Sequence, residues 1–330
     1  MKVLFIGGTG IISSACSQLA VERGIELFIL NQGNTTSRKP PTETIVLHAD
    51  IRDRASVEAV LGKQTFDVVV DWVAFTPEHI ENDLELFRGR VGQYIFISSA
   101  SAYQTPPVNL PVTESTPLSN PFWQYSRDKI ACEERLVRAY REEGFPITIV
   151  RPSHTYDPTL LPMRGGYTVV DRMRKGKRVI VHGDGTSLWV LTHHRDFARG
   201  FIGLLGNSHA IGEVFHITSD ELLTWNQIFE TIARAAGTQA NIVHVPSDFI
   251  ARFDPDWGSS LLGDKSHSMI FDNSKIKRAV PDFIASIPFD RGAEEIITWH
   301  DVAPSRQVVN EVFDKILDNI IEAYESDRSI

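Results

Sequence analysis

Three polar side chains in this sequence have the types and the spacing for acid–base chemistry on a hydroxyl group. Tyr125 and Lys129 are four residues apart in a segment with helical periodicity, so both project from one face of the predicted helix. An ammonium group together with a bound nicotinamide cation stabilises a phenolate, and we therefore expect the two to lower the pKa of Tyr125 toward neutrality. Ser99 ends a predicted strand, where its hydroxyl could orient the substrate oxygen whose proton Tyr125 removes.

Each of these residues also has a structural explanation. A tyrosine and a lysine at helical spacing arise by chance, and a serine at the end of a strand can close it with a local hydrogen bond. The strand-end hydroxyls and the helical pair together indicate a catalytic site more strongly than either does alone. We therefore predict that Ser99, Tyr125 and Lys129 form such a site.

A glycine-rich turn, residues 7–13, follows the first predicted strand and opens the first predicted helix. In this context glycines let the backbone approach a pyrophosphate, which then lies against the helix N-terminus. Ser13 occupies the third position of the spaced glycine pattern, so the helix must pack on the strand with one extra side chain. A tight turn without a ligand is the alternative interpretation.

The ends of the next two predicted strands carry groups suited to an adenosine. Asn31 ends the second strand, and its amide can bind a ribose hydroxyl without repelling a 2′-phosphate. Arg38 could reach such a phosphate, although a solvated loop charge explains it equally well. Asp50 and Ile51 follow the third strand, where a carboxylate and a backbone amide could bind an adenine ring. The predicted cofactor is NAD or NADP, and both remain open.

The elements that must position these groups are apolar strands alternating with helical segments. This alternation predicts a parallel sheet covered on both faces, a Rossmann-type doubly wound α/β fold. The predicted strands lie near Leu27–Leu30, Thr44–Leu47, Val68–Asp71, Tyr94–Ser98 and Ile147–Val150, and the predicted helices near Arg54–Leu61, Pro77–Phe87 and Tyr125–Glu142.

Beyond Arg151 proline and glycine breaks make the alternation less regular, and we place a smaller C-terminal α/β lobe there. The predicted division is a dinucleotide-binding domain over residues 1–165, joined by segments near 178–218, and a mainly substrate-binding lobe over residues 166–330. The elements predicted for the second half are strands at Val179–Val181 and Val214–Ile217, helices at Asn226–Ala236 and Val308–Tyr324, and a polar loop at Asp254–Ser268.

The composition is that of an ordinary globular protein, with 42% hydrophobic residues and a formal net charge of −9. The acidic balance argues against a surface that neutralises nucleic-acid phosphates, so no nucleic-acid partner is expected. The two isolated cysteines, Cys16 and Cys132, are predicted to pack in helices and fit a reducing compartment. Without a signal segment or an apolar run of about 18 residues, we expect a cytoplasmic protein that does not bind membranes.

Taken jointly, the segments resemble the extended branch of the short-chain dehydrogenase/reductase superfamily, the NAD-dependent epimerases and dehydratases, over nearly the whole chain. The resemblance implies catalytic roles for Ser99, Tyr125 and Lys129, the last two also touching the cofactor. It implies further cofactor contacts for the pyrophosphate turn, the adenosine side and the nicotinamide side, namely Gly7, Thr9, Gly10, Ile11 and Ile12, then Asp50, Ile51 and Ala74, then Pro152 and Ser153.

Departures from the family pattern narrow the chemistry. Ala100 and Ser101 replace the Asp-Glu pair of the nucleotide-sugar dehydratases, which argues against a 4,6-dehydratase and leaves Ser101 as a candidate substrate contact. Trp189 stands where many relatives place an arginine on the substrate diphosphate, so it could stack on a sugar or pack in the core. His154 and His193 are further candidate substrate contacts, and a hydrogen-bonded structural role is the alternative for His154. No metal is predicted.

The leading functional hypothesis is an NAD(P)-dependent oxidoreductase or epimerase that acts on a hydroxyl of a carbohydrate or sugar nucleotide. One alternative is a reductase of a non-sugar carbonyl compound, because the second lobe carries no decisive substrate signature. Another is a non-catalytic RNA-binding relative with similar Gly-Gly-Thr and Asn-x-Gly segments. The resemblance also allows a homodimer, with the helices that begin at Pro77 and Tyr125 as its candidate interface.

Overall fold

The computed structural model describes residues 1–33 and 38–327 of the chain. The strands are β1 Lys2–Ile6, β2 Glu26–Asn31, β3 Ile45–His48, β4 Phe66–Asp71, β5 Val91–Ile97, β6 Ile147–Pro152, β7 His154–Tyr156, β8 Arg178–His182, β9 Leu188–Trp189, β10 Leu191–His193, β11 Val214–Ile217, β12 Leu223–Thr224 and β13 Asn241–Val245. The α-helices are α1 Ile11–Glu22, α2 Arg54–Leu61, α3 Pro77–Phe87, α4 Gln124–Glu143, α5 Tyr167–Arg174, α6 His194–Ile202, α7 Trp225–Ala235, α8 Ser247–Ala251, α9 Pro255–Ser260, α10 Ser274–Ala279, α11 Phe289–Asp301 and α12 Glu311–Asp327. None of these helices is both long enough and apolar enough to cross a bilayer.

Seven strands form one parallel sheet in the order β11-β6-β5-β4-β1-β2-β3. The chain runs outward from β1 to β3 and then returns to build the other half from β4, so the direction of winding reverses between β1 and β4. Ligands of open α/β sheets bind at such a reversal, outside the carboxyl ends of the strands. The doubly wound Rossmann-type fold predicted from the sequence is therefore confirmed.

Both faces of this sheet are covered by helices. On one face, α1 and α6 bury Cys16 and Phe201 against the strands, while α3 and α4 bury Leu84 and Cys132 on the other. This two-sided burial explains why the strands read as continuous apolar runs. Both cysteines are free and lie inside helices, as the sequence predicted.

The second lobe is built from short paired strands and the helices α5, α7 and α11. Strand β8 pairs with β13, β7 with β10 and β9 with β12, around a core that contains Trp189, Trp225 and Phe289. Strand β11 joins the large sheet, whereas β8 does not. We propose a boundary near residue 165 between the dinucleotide-binding domain and the second lobe, with two exceptions: β7 precedes it but pairs in the second lobe, and β11 follows it but joins the large sheet.

The predicted polar loop at Asp254–Ser268 is wrong. Helix α9 occupies Pro255–Ser260, and a π-helical turn follows at Leu261–Lys265. Asp254 caps α9 by accepting a hydrogen bond from the Trp257 amide at 2.9 Å. Trp257 and Leu261 are buried in a cluster with Phe313, so tertiary packing fixes a segment whose polar composition had indicated a loop.

Candidate active site

A cavity of about 780 Å³ lies at the carboxyl ends of the sheet strands, where the winding direction reverses. Of the residues predicted to bind the cofactor or to act in catalysis, all but Ala74 line this cavity. They are Gly7, Thr9, Gly10, Ile11, Ile12, Asn31, Arg38, Asp50, Ile51, Ser99, Tyr125, Lys129, Pro152 and Ser153. Residues that are far apart in the sequence therefore meet in one site.

The glycine turn lies at one wall of this cavity. Gly7 and Gly8 have φ angles of 100° and 102°, and a side chain at Gly8 would come within 3.0 Å of the Ile29 side chain. Ser13 accepts a hydrogen bond from the Gly10 amide at 2.7 Å, which gives its hydroxyl a capping role at the third position of the glycine pattern. Amides in the first turn of a helix lack acceptors within the helix, which makes the N-terminus of α1 suited to an anion.

The end of the cavity that is predicted to hold the adenosine is polar. Asn31 accepts a hydrogen bond from the Gly33 amide at 3.0 Å, and Asp50 accepts one from the Arg52 amide at 2.9 Å. The Arg52 amide contact is the main reason why the pKa of Asp50 is lowered, so this group is a carboxylate at neutral pH. Its neighbour Ile51 lines the same end.

Arg38 lines the cavity but is already engaged. Its guanidinium donates to the carboxylate of Asp157 at 2.7 Å and to the hydroxyl of Thr159. Burial alone would raise the pKa of Asp157, but the hydrogen bonds from Arg38 and Thr159 outweigh it and lower that pKa. The alternative interpretation of Arg38 as a solvated loop charge is therefore not supported. A role as a phosphate ligand would require it to leave Asp157.

Lys129 lies beneath the cavity on α4 and is only 2% exposed. Its ammonium donates to the carbonyl oxygens of Ala74 and Ile97, each at 2.7 Å. Burial lowers the pKa of Lys129 to about 8. Ala74 is fully buried, so its side chain does not line the adenosine side as predicted; its carbonyl holds the lysine instead.

Tyr125 is half-buried beside the rings of Trp123, at a centroid distance of 4.9 Å, and Phe75, at 6.4 Å. Burial raises the pKa of Tyr125, while its hydrogen bond with Ser99 acts in the opposite direction. Lys129 is not among the groups that shift this pKa, because the lysine donates to two carbonyls and its Nζ lies 5.9 Å from the phenol ring centroid. Tyr125 is therefore a protonated phenol at neutral pH in this arrangement.

A chain of hydroxyl groups extends from Ser99 into the protein. The Ser99 and Ser101 hydroxyls are 2.9 Å apart, and Ser126 donates to Ser101 at 2.8 Å. Asn120 donates to the Ser101 carbonyl at 2.9 Å and fixes this turn. Ser99 therefore has a hydrogen-bonding partner on its protein side while it faces Tyr125 on the other.

A second cavity, of about 250 Å³, adjoins the first. Ser99, Tyr125, Pro152, Ser153 and Thr155 line both cavities. The further lining of the second cavity includes Ser101 and His154, two of the predicted substrate contacts, together with Trp123, Asp264 and Lys265.

The sequence analysis did not identify Asp264 and Lys265 as site residues, because it predicts a polar loop where the structure has a π-helical turn. Beyond His154 and Lys265, a third cavity of about 200 Å³ continues into the second lobe. The catalytic candidates thus lie between a large cavity and a smaller, branched one.

Trp189 supports His154 from behind. The indole is 2% exposed and donates to Nδ1 of His154 at 3.0 Å, while its ring packs 5.5 Å from that of Trp225. Burial lowers the pKa of His154 to about 3, so this histidine is neutral at physiological pH. Of the two interpretations of Trp189, the structure supports packing in the core over stacking on a substrate.

His193 is also absent from the lining of the cavities around Tyr125. It is 1% exposed, and its Nε2 lies 3.1 Å from the carboxylate of Glu295. Burial lowers the pKa values of His193 and of its neighbour His194, the latter to about 4. Neither histidine therefore supplies a positive charge at neutral pH. In the described residues, no group of three or more histidine, cysteine, aspartate or glutamate side chains is placed to hold a metal ion.

A buried ion pair stiffens the wall behind Ser99. Arg151 donates to Glu133 through two nitrogens, one at 2.9 Å, and Ser98 donates its hydroxyl to the same carboxylate. Both charged side chains are less than 5% exposed. Glu133 lies one helical turn after Lys129 on α4, a spacing that could have indicated a second inward-facing polar group.

Comparisons with known proteins give a consistent result. A model of the "NAD dependent epimerase/dehydratase family" matches residues 3–218. A chloroplast stem-loop binding protein of 41 kDa from Arabidopsis thaliana is 28% identical over 75% of this chain and 67% of its own length. The 2'-dehydrokanamycin reductase of Streptomyces kanamyceticus is 24% identical over 86% of this chain and 80% of its own length.

Among solved structures, the UDP-glucose 4-epimerase of Bifidobacterium longum, in complex with NAD+ and UDP, superposes with a TM-score of 0.73. The alignment covers 93% of this chain and 100% of that protein, at 19% sequence identity. At this identity the match establishes the fold, which is the doubly wound architecture described above.

Proposed function

Because this chain belongs to the NAD dependent epimerase/dehydratase family, we propose that it moves hydride between a nicotinamide dinucleotide and a hydroxyl-bearing carbon of a carbohydrate. Family membership agrees with the resemblance inferred from the sequence and makes the protein an enzyme that uses such a dinucleotide. One observation carries the proposal. Ser99 and Tyr125 line both the large cavity and the smaller one beside it, with Lys129 directly beneath.

The residues of the large cavity fit a dinucleotide. Any side chain at Gly8 would crowd Ile29, so the backbone there is kept open beside the N-terminus of α1. Asn31 and Asp50 offer polar contacts at one end of the cavity, and Pro152 and Ser153 border the other end next to Tyr125. When bound, the nicotinamide would supply a hydride acceptor or donor.

The protein's own groups then handle the proton. In the reductive direction the protonated phenol of Tyr125 donates to the carbonyl oxygen of the substrate, and in the oxidative direction the same oxygen accepts the hydroxyl proton. Ser99 orients the substrate oxygen and is itself held by Ser101. The ammonium of Lys129 holds the ends of β4 and β5 together through Ala74 and Ile97 and places positive charge under the site.

The proposal is tested by comparing the wild-type protein with Tyr125→Phe. The variant should lose about 10²–10⁴-fold in turnover, because the proton donor is gone, and it should still bind the dinucleotide. Tyr140→Phe is the matched control, since Tyr140 is an exposed tyrosine on the same helix. Turnover that survives in Tyr125→Phe, or a wild-type protein that binds no nicotinamide dinucleotide, would overturn the assignment.

Net reduction of a carbonyl group is the second candidate reaction, and two observations favour it. The relative named as a reductase aligns with 86% of this chain, and the raised pKa of Tyr125 suits proton donation to a carbonyl. An epimerase can be distinguished from a dehydrogenase or reductase by titration with NAD, NADH, NADP and NADPH, together with analysis of any cofactor retained on purification. Retained NAD supports an epimerase that recycles its cofactor, whereas weak exchangeable binding supports a dehydrogenase or reductase.

Nucleic-acid binding is the remaining alternative, and the similarity to the stem-loop binding protein motivates its test. We expect no salt-sensitive binding of a stem-loop RNA, because the chain carries a net charge of −9. RNA binding that persists in Tyr125→Phe, without turnover of any sugar or polyol, would favour this alternative over the enzyme assignment.

A further inference from the structure

The π-helical turn Leu261–Lys265 brings two charged side chains from the second lobe to the second cavity, opposite Ser99 and Tyr125. π-Helical turns are rare and frequently occur at functional sites. This one is anchored on two sides. Asn120 donates to the Gly263 carbonyl at 2.6 Å, and the indole of Trp225 donates to the Lys265 carbonyl at 3.1 Å.

Close packing also fixes the position of the turn. A side chain at Gly263 would approach the Cβ of Trp123 to 2.8 Å, so the turn touches the segment that leads into α4. Because Tyr125 is the second residue of that helix, contacts with the segment before it set the distance between the turn and the phenol. Asp264 and Lys265 therefore face the candidate catalytic residues from a rigid support.

The two side chains form a pair. Lys265 Nζ lies 3.1 Å from an Asp264 carboxylate oxygen and 5.3 Å from the centroid of the Trp123 ring. Both side chains keep some exposure, 16% for Asp264 and 21% for Lys265, so their polar atoms remain accessible from the cavity. A carboxylate accepts hydrogen bonds from two hydroxyls, and an ammonium donates to others.

The charges that line the second and third cavities indicate which class of ligand they can bind. Lys265 and Arg164 are the two arginine or lysine residues that line the second and third cavities in the described part of the chain, and carboxylates neutralise both. Lys265 pairs with Asp264, and Arg164 pairs with Asp254 at 2.9 Å. The third cavity's histidines, His154 and His182, are held neutral by burial. Among the described residues, a diphosphate would therefore meet no unpaired lysine or arginine in the lining of these two cavities, and it would meet the carboxylate of Asp264.

On this basis, and resting on the proposed function, we propose that Asp264 and Lys265 hold neighbouring hydroxyls of an uncharged, polyhydroxylated substrate against Tyr125. The substrate is thus a free sugar or cyclic polyol and not a sugar nucleotide. Trp123 offers an apolar face beside the pair for the C–H side of such a ring. Asp264 and Lys265 set specificity by contacting the substrate, while Tyr125 moves the proton.

The test uses the full-length protein loaded with the dinucleotide that it binds. Glucose, myo-inositol and UDP-glucose are compared in turnover, and UDP alone is titrated by calorimetry. We expect turnover with at least one uncharged polyol and no heat of binding for UDP. Asp264→Asn and Lys265→Gln should each raise the KM for that polyol at least about tenfold, corresponding to about 1.4 kcal/mol, with the Kd for the dinucleotide unchanged.

Asp256→Asn, an exposed carboxylate of α9, is the matched control and should leave KM unchanged. If Asp264→Asn does not fold, Lys265→Gln still decides, because the turn is anchored by the backbone carbonyl of Lys265. Binding of UDP, turnover of UDP-glucose in preference to the polyols, or unchanged KM values in the variants would overturn this inference and leave the proposed function standing. Absence of turnover with every probe and every dinucleotide would count against both.

Discussion

Trp189, which is 2% exposed, donates its indole N–H to Nδ1 of His154 across 3.0 Å. The indole thus occupies one nitrogen of a histidine that lines the second and third cavities. The hydrogen bond requires Nδ1 to be an acceptor, which places the ring proton on Nε2 in the neutral imidazole. The tryptophan therefore acts on the candidate site through the tautomer and orientation of His154, without touching the cavity itself.

Trp189→Phe should destabilise the protein by about 1–3 kcal/mol, because the aromatic packing is largely kept but Nδ1 of His154 loses its donor. A double-mutant cycle with His154→Leu should show a coupling free energy of about 0.5–3 kcal/mol in urea unfolding. Trp299→Phe, which changes a half-buried tryptophan on α11, is the control. A coupling near zero would mean that the indole serves only as filling for the core.

The buried ammonium of Lys129 should appear in the pH dependence of stability. Its pKa is about 8 in the folded protein and about 10.4 in an unfolded chain. Between these values the unfolded chain holds a proton that the folded protein has released, so this residue makes the free energy of unfolding rise with pH. Below pH 8 the cost of burying the charge is fully present.

Lys129→Met should remove that rise. The unfolding free energy of the wild type minus that of the variant is expected to increase by up to about 1.4 kcal/mol per pH unit from pH 8 toward pH 10. Urea unfolding over this pH range measures it, with Lys63→Met as a control at an exposed lysine. Parallel curves for wild type and Lys129→Met would show that the lysine has an ordinary pKa in the folded state.

The sequence predicted those helices, strands and turns whose signals lie within one short segment of the chain. Helices α2 and α3 begin and end at the predicted residues, and both starts carry local signals. Asp53 accepts a hydrogen bond from the Ser56 amide, and Pro77 is the first residue of α3. The glycine turn could be located for the same reason, because its residues are contiguous.

The missed features depend on contacts between distant segments. Asp264 approaches Tyr125 only after the second lobe has packed on the first, and the π-helical turn that carries it has no periodic signature. The raised pKa of Tyr125 has a similar origin, since burial outweighs the opposite effect of the hydrogen bond with Ser99. Spacing in the sequence identified which groups meet, whereas burial determined their protonation.

Glu133 and Arg151 provide a test of how strongly the wall behind Ser99 is held. Their side chains are 3% and 4% exposed, so Glu133→Gln leaves a buried guanidinium without its counter-charge. We expect a loss of about 3–5 kcal/mol in unfolding free energy. Glu58→Gln, in the exposed pair with Arg54, should change the unfolding free energy far less, because water screens both charges. Equal effects of the two changes would argue that the interior pair is well solvated.

The ion pair between Arg38 and Asp157 bears on the choice between NAD and NADP. Asp157 has a side chain only 3% exposed, so Arg38 cannot turn to a 2′-phosphate without leaving a buried carboxylate unpaired. We therefore expect NAD to bind more tightly than NADP. Arg38→Gln should lower the unfolding free energy by about 1–3 kcal/mol and should not reduce the affinity for NADP relative to NAD.

Fluorescence titration of wild type and Arg38→Gln with the four dinucleotides measures this ratio, and Lys39→Gln serves as the neighbouring exposed control. Asp157→Asn sharpens the result, because it frees Arg38 from its counter-charge while keeping the shape of the side chain. That variant should gain affinity for NADP relative to wild type, since the released guanidinium becomes available for a phosphate. A selective loss of NADP binding in Arg38→Gln would instead identify Arg38 as a phosphate ligand that exchanges Asp157 for the cofactor.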